Sequence, residues 1–327
     1  MNKNNVEFKK TSLIIGAVLL IFVGFYYALY GTIYQYLSTI VNFLITKESI
    51  AKIIIDLGSG ILYCAMFMIP AFLYIPFSRS IPRETGKNEK SHLTFTLSVL
   101  IVLSSIGIIS ASAYVNSLLG SVFGGAGNFI STDEKMTLAG FIVSAVIHAF
   151  VPAISEELLF RRTILRSLAP YGKAFAIISS AVMFGLMHQN AFQVFYATMA
   201  GIVIGYAYVK TNSFLCAFLI HFFNNLVSVI QQYMSSSLGE QASLVAGSIL
   251  TVALSTLGLV SLIILIFIEK NKKSVYETGS FGKIEAPSLL YTSKPVTINR
   301  AKVFFLSPTV LIFTIISAIL ALLTLFS

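Results

Sequence analysis

The chain has 327 residues, 56% of them apolar and 11% charged, with a mean hydropathy of +0.86 and a formal net charge of +9. Soluble domains run near 45–50% apolar and about 25% charged, so these values exclude a soluble enzyme, a disordered chain and a nucleic-acid-binding domain. At about 20 apolar residues per spanning helix, the roughly 183 apolar residues supply about nine spans, and the chain reads as an all-α, polytopic transmembrane helical bundle.

Apolar runs fall at 11–30, 53–77, 93–115, 138–168, 174–189, 191–209, 213–234, 244–268 and 303–326. The first follows Lys9-Lys10; it is too long for the apolar part of a signal peptide and lacks a small-residue cleavage site, so it reads as a retained span. With a cytoplasmic N-terminus, 19 of the 22 Lys and Arg residues fall in inside segments and only Lys47, Lys52 and Lys135 outside. That is the asymmetry of the positive-inside rule, and it accounts for the net charge without any nucleic acid. Cys64 and Cys216 lie within apolar runs as packing residues, so no disulfide framework is available.

Three regions are expected. Residues 1–137 hold helices 1–3 and a Gly-rich outside loop, 116–137, which lacks Gly-Lys-Ser/Thr and is no phosphate loop. Residues 138–235 form a four-helix core. Residues 236–327 hold the C-terminal helices and a basic linker, 269–302, suited to an anionic lipid surface. No internal repeat is visible, which disfavours inverted-repeat transporters.

The core places charges where the bilayer penalises them. Within 152–168 stand Glu156, Glu157, Arg161, Arg162 and Arg166, and each ionised group at mid-membrane costs about 2.5–3.5 kcal/mol on insertion scales. Glu157 and Arg161 are i and i+4 with Glu first, the favourable order for a structural ion pair. Glu156 is left without a partner on its own helix, as suits a general base. Arg162, Arg166 and Lys173 read as topology determinants.

His188 closes Phe184-Gly-Leu-Met-His188, while His221 and Asn225, four residues apart, share one helical face. Apolar residues up to Leu168 carry the helix past Arg161, so Glu156 lies 12 residues (about 18 Å) from that end. His188 is 15 residues (about 22 Å) from Lys173, and His221 is 11 (about 17 Å) from Lys210. The three depths agree, so the groups can meet.

These residues carry a resemblance. Glu156-Glu157-x-x-x-Arg161, Phe184-x-x-x-His188 and His221-x-x-x-Asn225 resemble, in order and spacing, the three motifs of the CAAX-protease and bacteriocin-processing (Abi-type) family of intramembrane endopeptidases. The resemblance covers about 138–235. Arg162 departs from it, standing where many members have a small residue.

The resemblance implies a helical bundle with a water-holding cavity, in a bacterial plasma membrane, that hydrolyses a peptide bond in a membrane-associated, lipidated or bacteriocin-like substrate. Glu156 and His188 would activate the water, and His221 and Asn225 would donate to the oxyanion. The family's metalloprotease label makes Glu156, His188 and His221 a chemically reasonable zinc triad. A metal-free glutamate mechanism is favoured, because Glu157 is committed to Arg161 and each remaining residue then has one task.

Other polar positions read as architecture. His148, two turns before Glu156, reads as a packing or interhelical hydrogen-bonding residue, and His92 as interfacial. Gly201-x-x-x-Gly205 reads as close helix packing, and Pro152 as a kink that opens the cavity. Two other functions use the same residues: a transporter relaying protons, and a membrane immunity or scaffold protein that needs no turnover.

Overall fold

The computed structural model describes residues 2–78, 95–122, 136–277 and 298–325. Its helices are α1 (Lys3–Leu44), α2 (Glu48–Ser78), α3 (Phe95–Val122), α4 (Leu138–Tyr171), α5 (Lys173–Met187), α6 (Ala191–Thr211), α7 (Phe214–Leu238), α8 (Glu240–Glu277), α9 (Arg300–Phe305) and α10 (Pro308–Leu323). No strand occurs among the described residues. Among the described residues seven helices are long and apolar enough to cross a membrane, and α5 and α10 are shorter apolar helices. The nine expected apolar runs therefore map onto nine helices, α9 being a short turn leading into the last.

Several helices outrun their apolar segments. The expected end of the first span at residue 30 gives way to continuous helix through a π-helical turn, Tyr26–Tyr30, as far as Leu44. Gly31 keeps helical dihedrals (φ −60°, ψ −45°) and no proline intervenes, so nothing stops the hydrogen-bond ladder. Likewise α3 continues to Val122 inside the expected outside loop, and α8 continues to Glu277 inside the expected linker. In α8 charge ends the apolar run without ending the helix, since Lys is a good helix former. The remainders of that loop and linker, and His92, lie outside the described residues.

Helices α5 and α6 form an antiparallel hairpin that approaches closely at Gly185. A Cβ there would overlap Thr198 Oγ1 and lie 2.6 Å from the Val194 carbonyl oxygen. Gly201 faces Ala181 and Gly205 faces Ile177 and Leu165, so Gly201-x-x-x-Gly205 lies at helix-packing contacts. Helices α3 and α8 cross where Gly107 meets Gly258. The turn into α5 needs glycine, because Gly172 has φ +137°. On the outside of the bundle α8 exposes Ile249, Val252, Leu259, Ile263 and Phe267, an apolar surface for lipid to cover.

Helix α4 starts as a regular α-helix, Leu138–Ser144, and becomes irregular further along. π-Helical segments at Ala145–Phe150 and Leu158–Leu165 flank a single α-helical stretch, Val151–Glu157. Pro152 supplies no N–H to the ladder, and π-turns recur at functional sites. The helix nevertheless continues beyond Arg161 to Leu168 before a 3₁₀ turn, Ala169–Tyr171.

Candidate active site

Helix α4 carries the carboxylates, α5 ends at His188, and α7 carries His221 and Asn225. Ser213 starts α7, its side chain accepting from the Cys216 amide, after Asn212 has closed α6 in the left-handed region (φ +48°). These caps fix the register that brings His221 to α4. Helix α5 has only 15 residues, about 22 Å of rise against a hydrocarbon core of about 30 Å, so its C-cap His188 stays at membrane depth.

Glu157 is fully buried between two partners. Arg161 Nε lies 2.8 Å from its Oε2 as an ion pair, and His221 Nδ1 lies 2.8 Å from its Oε1. The Arg161 guanidinium also sits 5.2 Å from the centroid of the Phe184 ring, whose π face adds attraction. Glu157 thus joins α4 to α7 besides holding Arg161, a bond to His221 that residue spacing along the chain does not reveal.

Glu156 is 2% exposed. The Tyr63 hydroxyl of α2 donates to its Oε1, while its Oε2 lies 3.8 Å from His221 Nε2 and has no hydrogen-bond partner among the described residues. Sequence reasoning does not reach Tyr63; a tyrosine in an apolar span offers nothing to separate it from a packing residue. His188 Nδ1 is 2.9 Å from the Phe184 carbonyl oxygen. A carbonyl only accepts, so Nδ1 carries the proton and Nε2 is left as an acceptor.

On α7 the Tyr196 hydroxyl, from α6, donates to Asn224 Oδ1 at 2.5 Å. Asn224 Nδ2 donates in turn to Asn225 Oδ1 at 3.2 Å. Asn225 therefore has its carbonyl engaged and its amide N–H groups turned elsewhere. This chain of contacts escapes sequence reading, because Asn224 and Tyr196 are 28 residues apart and meet only through the α6–α7 packing.

Glu156, His188 and Asn225 line one cavity of about 580 Å³, together with Tyr63, Pro152 and His148. His148, which reads from sequence as a packing residue, faces this cavity. His221 is not on its wall; it stands behind Glu156, between the two carboxylates. Arg162 is exposed, its guanidinium 5.4 Å from the Phe214 ring, and so makes no demand on the crowded core at the position where family members carry a small residue.

A zinc ion needs three protein donors converging at about 2.0–2.2 Å. Among the described residues no group of three His, Cys, Asp or Glu is arranged to hold a metal, so the triad Glu156, His188 and His221 does not fit one as it stands.

Residues 138–227 match the family model described as type II CAAX prenyl endopeptidase Rce1-like. Over 159 residues the chain is 25% identical to a Bacillus subtilis (strain 168) protein named "Putative membrane peptidase YdiL", an alignment covering 47% of this chain and 64% of that relative. The chain thus matches a little under two thirds of that relative's length. No solved structure matches it.

Proposed function

We propose that this chain, similar through residues 138–227 to the type II CAAX prenyl endopeptidase family, is an intramembrane endopeptidase that hydrolyses a peptide bond with a water activated by Glu156 and His188. The observation that carries the proposal is the shared cavity: an unpartnered carboxylate oxygen, a histidine with a free acceptor nitrogen and an oriented amide, all at membrane depth. Such depth is costly for polar groups that serve only packing.

The roles follow from the contacts. Glu156 Oε2 has no partner to displace and takes a proton from water, with His188 Nε2 a second acceptor. Asn225, its carbonyl held by Asn224, presents its amide to the oxyanion of the tetrahedral intermediate. His221 gives its Nδ1–H to Glu157, so it donates through Nε2 only as an imidazolium. Two carboxylates, one guanidinium and one imidazolium then sum to zero charge in the buried cluster. The carboxylic acid formed at Glu156 returns its proton to the leaving amine.

Loss of a single oxyanion donor costs about 10²–10³ in rate. Asn225→Ala is expected to lower kcat by that amount at unchanged thermal stability, and equal turnover would remove Asn225 from the mechanism. Asn224→Ala is expected to lower kcat about tenfold with little change in KM, since it frees the amide to rotate without touching substrate; a change confined to KM would contradict a positioning role.

A metal-free reaction is the reading best suited to this donor arrangement. Purified protein is expected to keep its activity through prolonged incubation with a strong chelator; loss restored by zinc would overturn it. Reconstitution decides between peptidase and transporter, because a peptidase cleaves in liposomes carrying no ion gradient, whereas a proton relay works only across one. The basic-residue asymmetry favours a cytoplasmic N-terminus, and the family resemblance a bacterial plasma membrane.

A further inference from the structure

The cavity is asymmetric along the membrane normal, and the endopeptidase reading gives that asymmetry a meaning. From Glu156, His188 and Asn225 it extends along α7 to Gln231, Gln232 and Ser235. Asn225 to Ser235 is ten residues, about 15 Å of helix, and brings the cavity within a turn of Leu238, where α7 ends. Met136, just before α4, donates its amide to Ser236 at this same end.

In the other direction the described side chains are closely packed. Phe160, Arg161, Ile164, Leu165 and Leu168 are all 0% exposed and Phe184 is 3% exposed, a sealed layer between the carboxylates and the α4–α5 turn. The sealed end is the basic one, with Lys9, Lys10, Arg162, Arg166, Lys173 and Lys210. Among the described residues the open end carries only Lys47 and Lys52. Basic residues accumulate on the cytoplasmic side, so the mouth faces away from the cytoplasm.

The lining of the mouth says what enters. Carboxamides and a hydroxyl offer both donors and acceptors, as a peptide backbone does. An isoprenoid chain would bury those groups without partners, at a cost of about 1–3 kcal/mol each. Resting on the endopeptidase reading, we propose that the active-site cavity is loaded from the extracytoplasmic face by an extended, unlipidated peptide segment that Gln231 and Gln232 hold through its backbone amides.

The test uses the full chain in cells, with Cys64→Ser and Cys216→Ala removing its two native thiols. A membrane-impermeant maleimide added to intact cells is expected to label Ser235→Cys and to leave Lys173→Cys unlabelled; inverted vesicles reverse the pattern. Labelling of Ser235→Cys only in inverted vesicles overturns the proposal. Blocking Ser235→Cys from outside is also expected to erase the new protein termini that depend on Glu156, by tenfold or more. Persistence of those termini after complete labelling overturns this mouth as the substrate path, as does their mapping to cytoplasmic proteins ending in a lipidated cysteine. Absence of Glu156-dependent termini in cells producing the wild-type chain sinks the endopeptidase reading instead, while the labelling pattern still decides which face the cavity opens to.

Discussion

Glu156→Gln is expected to lower the rate of peptide cleavage by about 10²–10⁴, the usual worth of a positioned general base, with the fold intact. The glutamine side chain keeps the shape of glutamate, and its carbonyl oxygen still accepts from Tyr63. What disappears is the second oxygen's capacity to take a proton. That oxygen has no hydrogen-bond partner and lies 3.8 Å from His221 Nε2. The variant removes a negative charge from a site 2% exposed, so no stability loss of comparable size accompanies the loss of rate. Single-turnover cleavage and thermal unfolding of the purified variant check both halves; wild-type turnover would exclude Glu156 as the base.

Arg161→Ala has the largest expected effect on stability. Breaking a buried ion pair by removing one partner costs about 3–5 kcal/mol, because the other charge remains without compensation. Here Glu157, 0% exposed, keeps only His221, the buried cluster is left with one uncompensated negative charge, and Arg161 is itself the largest fully buried side chain among the described residues, so a cavity is added to the lost charge. The loss is a large share of the 5–15 kcal/mol that folded proteins command. A markedly lower apparent melting temperature in detergent is the expected result, and an unchanged one would contradict the ion pair's structural role. The double variant Glu157→Gln/Arg161→Met provides a control. It replaces the pair by uncharged groups of similar volume and recovers much of the stability, as replaced ion pairs often do.

Much of the site is legible in the sequence because the bilayer makes polar residues conspicuous. Glu156, Glu157, Arg161, His188, His221 and Asn225 stand out against apolar runs, and helical rise alone puts the Glu-bearing and His-bearing positions at one depth. The structure places Glu156 and His221 next to each other and brings Glu156, His188 and Asn225 to one cavity. The supporting groups are hidden for a physical reason. Tyr63 is 93 residues from Glu156, and Asn224 gains its meaning only from Tyr196 on another helix. Phenols and carboxamides in spanning helices are common enough that neither stands out. Helix ends likewise escape the sequence where glycine and polar residues end an apolar run but not the ladder, as before Leu44 and Val122, or where charge does so, as before Glu277. His148 reads as packing because nothing in the residues around Pro152 announces the π-turns that reshape that stretch of α4.

Proteolysis is open to a direct test while the substrate is still unidentified. Cells producing the wild-type chain and cells producing Glu156→Gln, at matched protein levels, are compared by mass spectrometry of membrane-associated protein and peptide termini. The account predicts a small set of new termini that appear only with the wild type. Identical profiles, with the variant still supplying whatever phenotype the gene confers, would contradict it and leave a scaffold that keeps the motifs without using them.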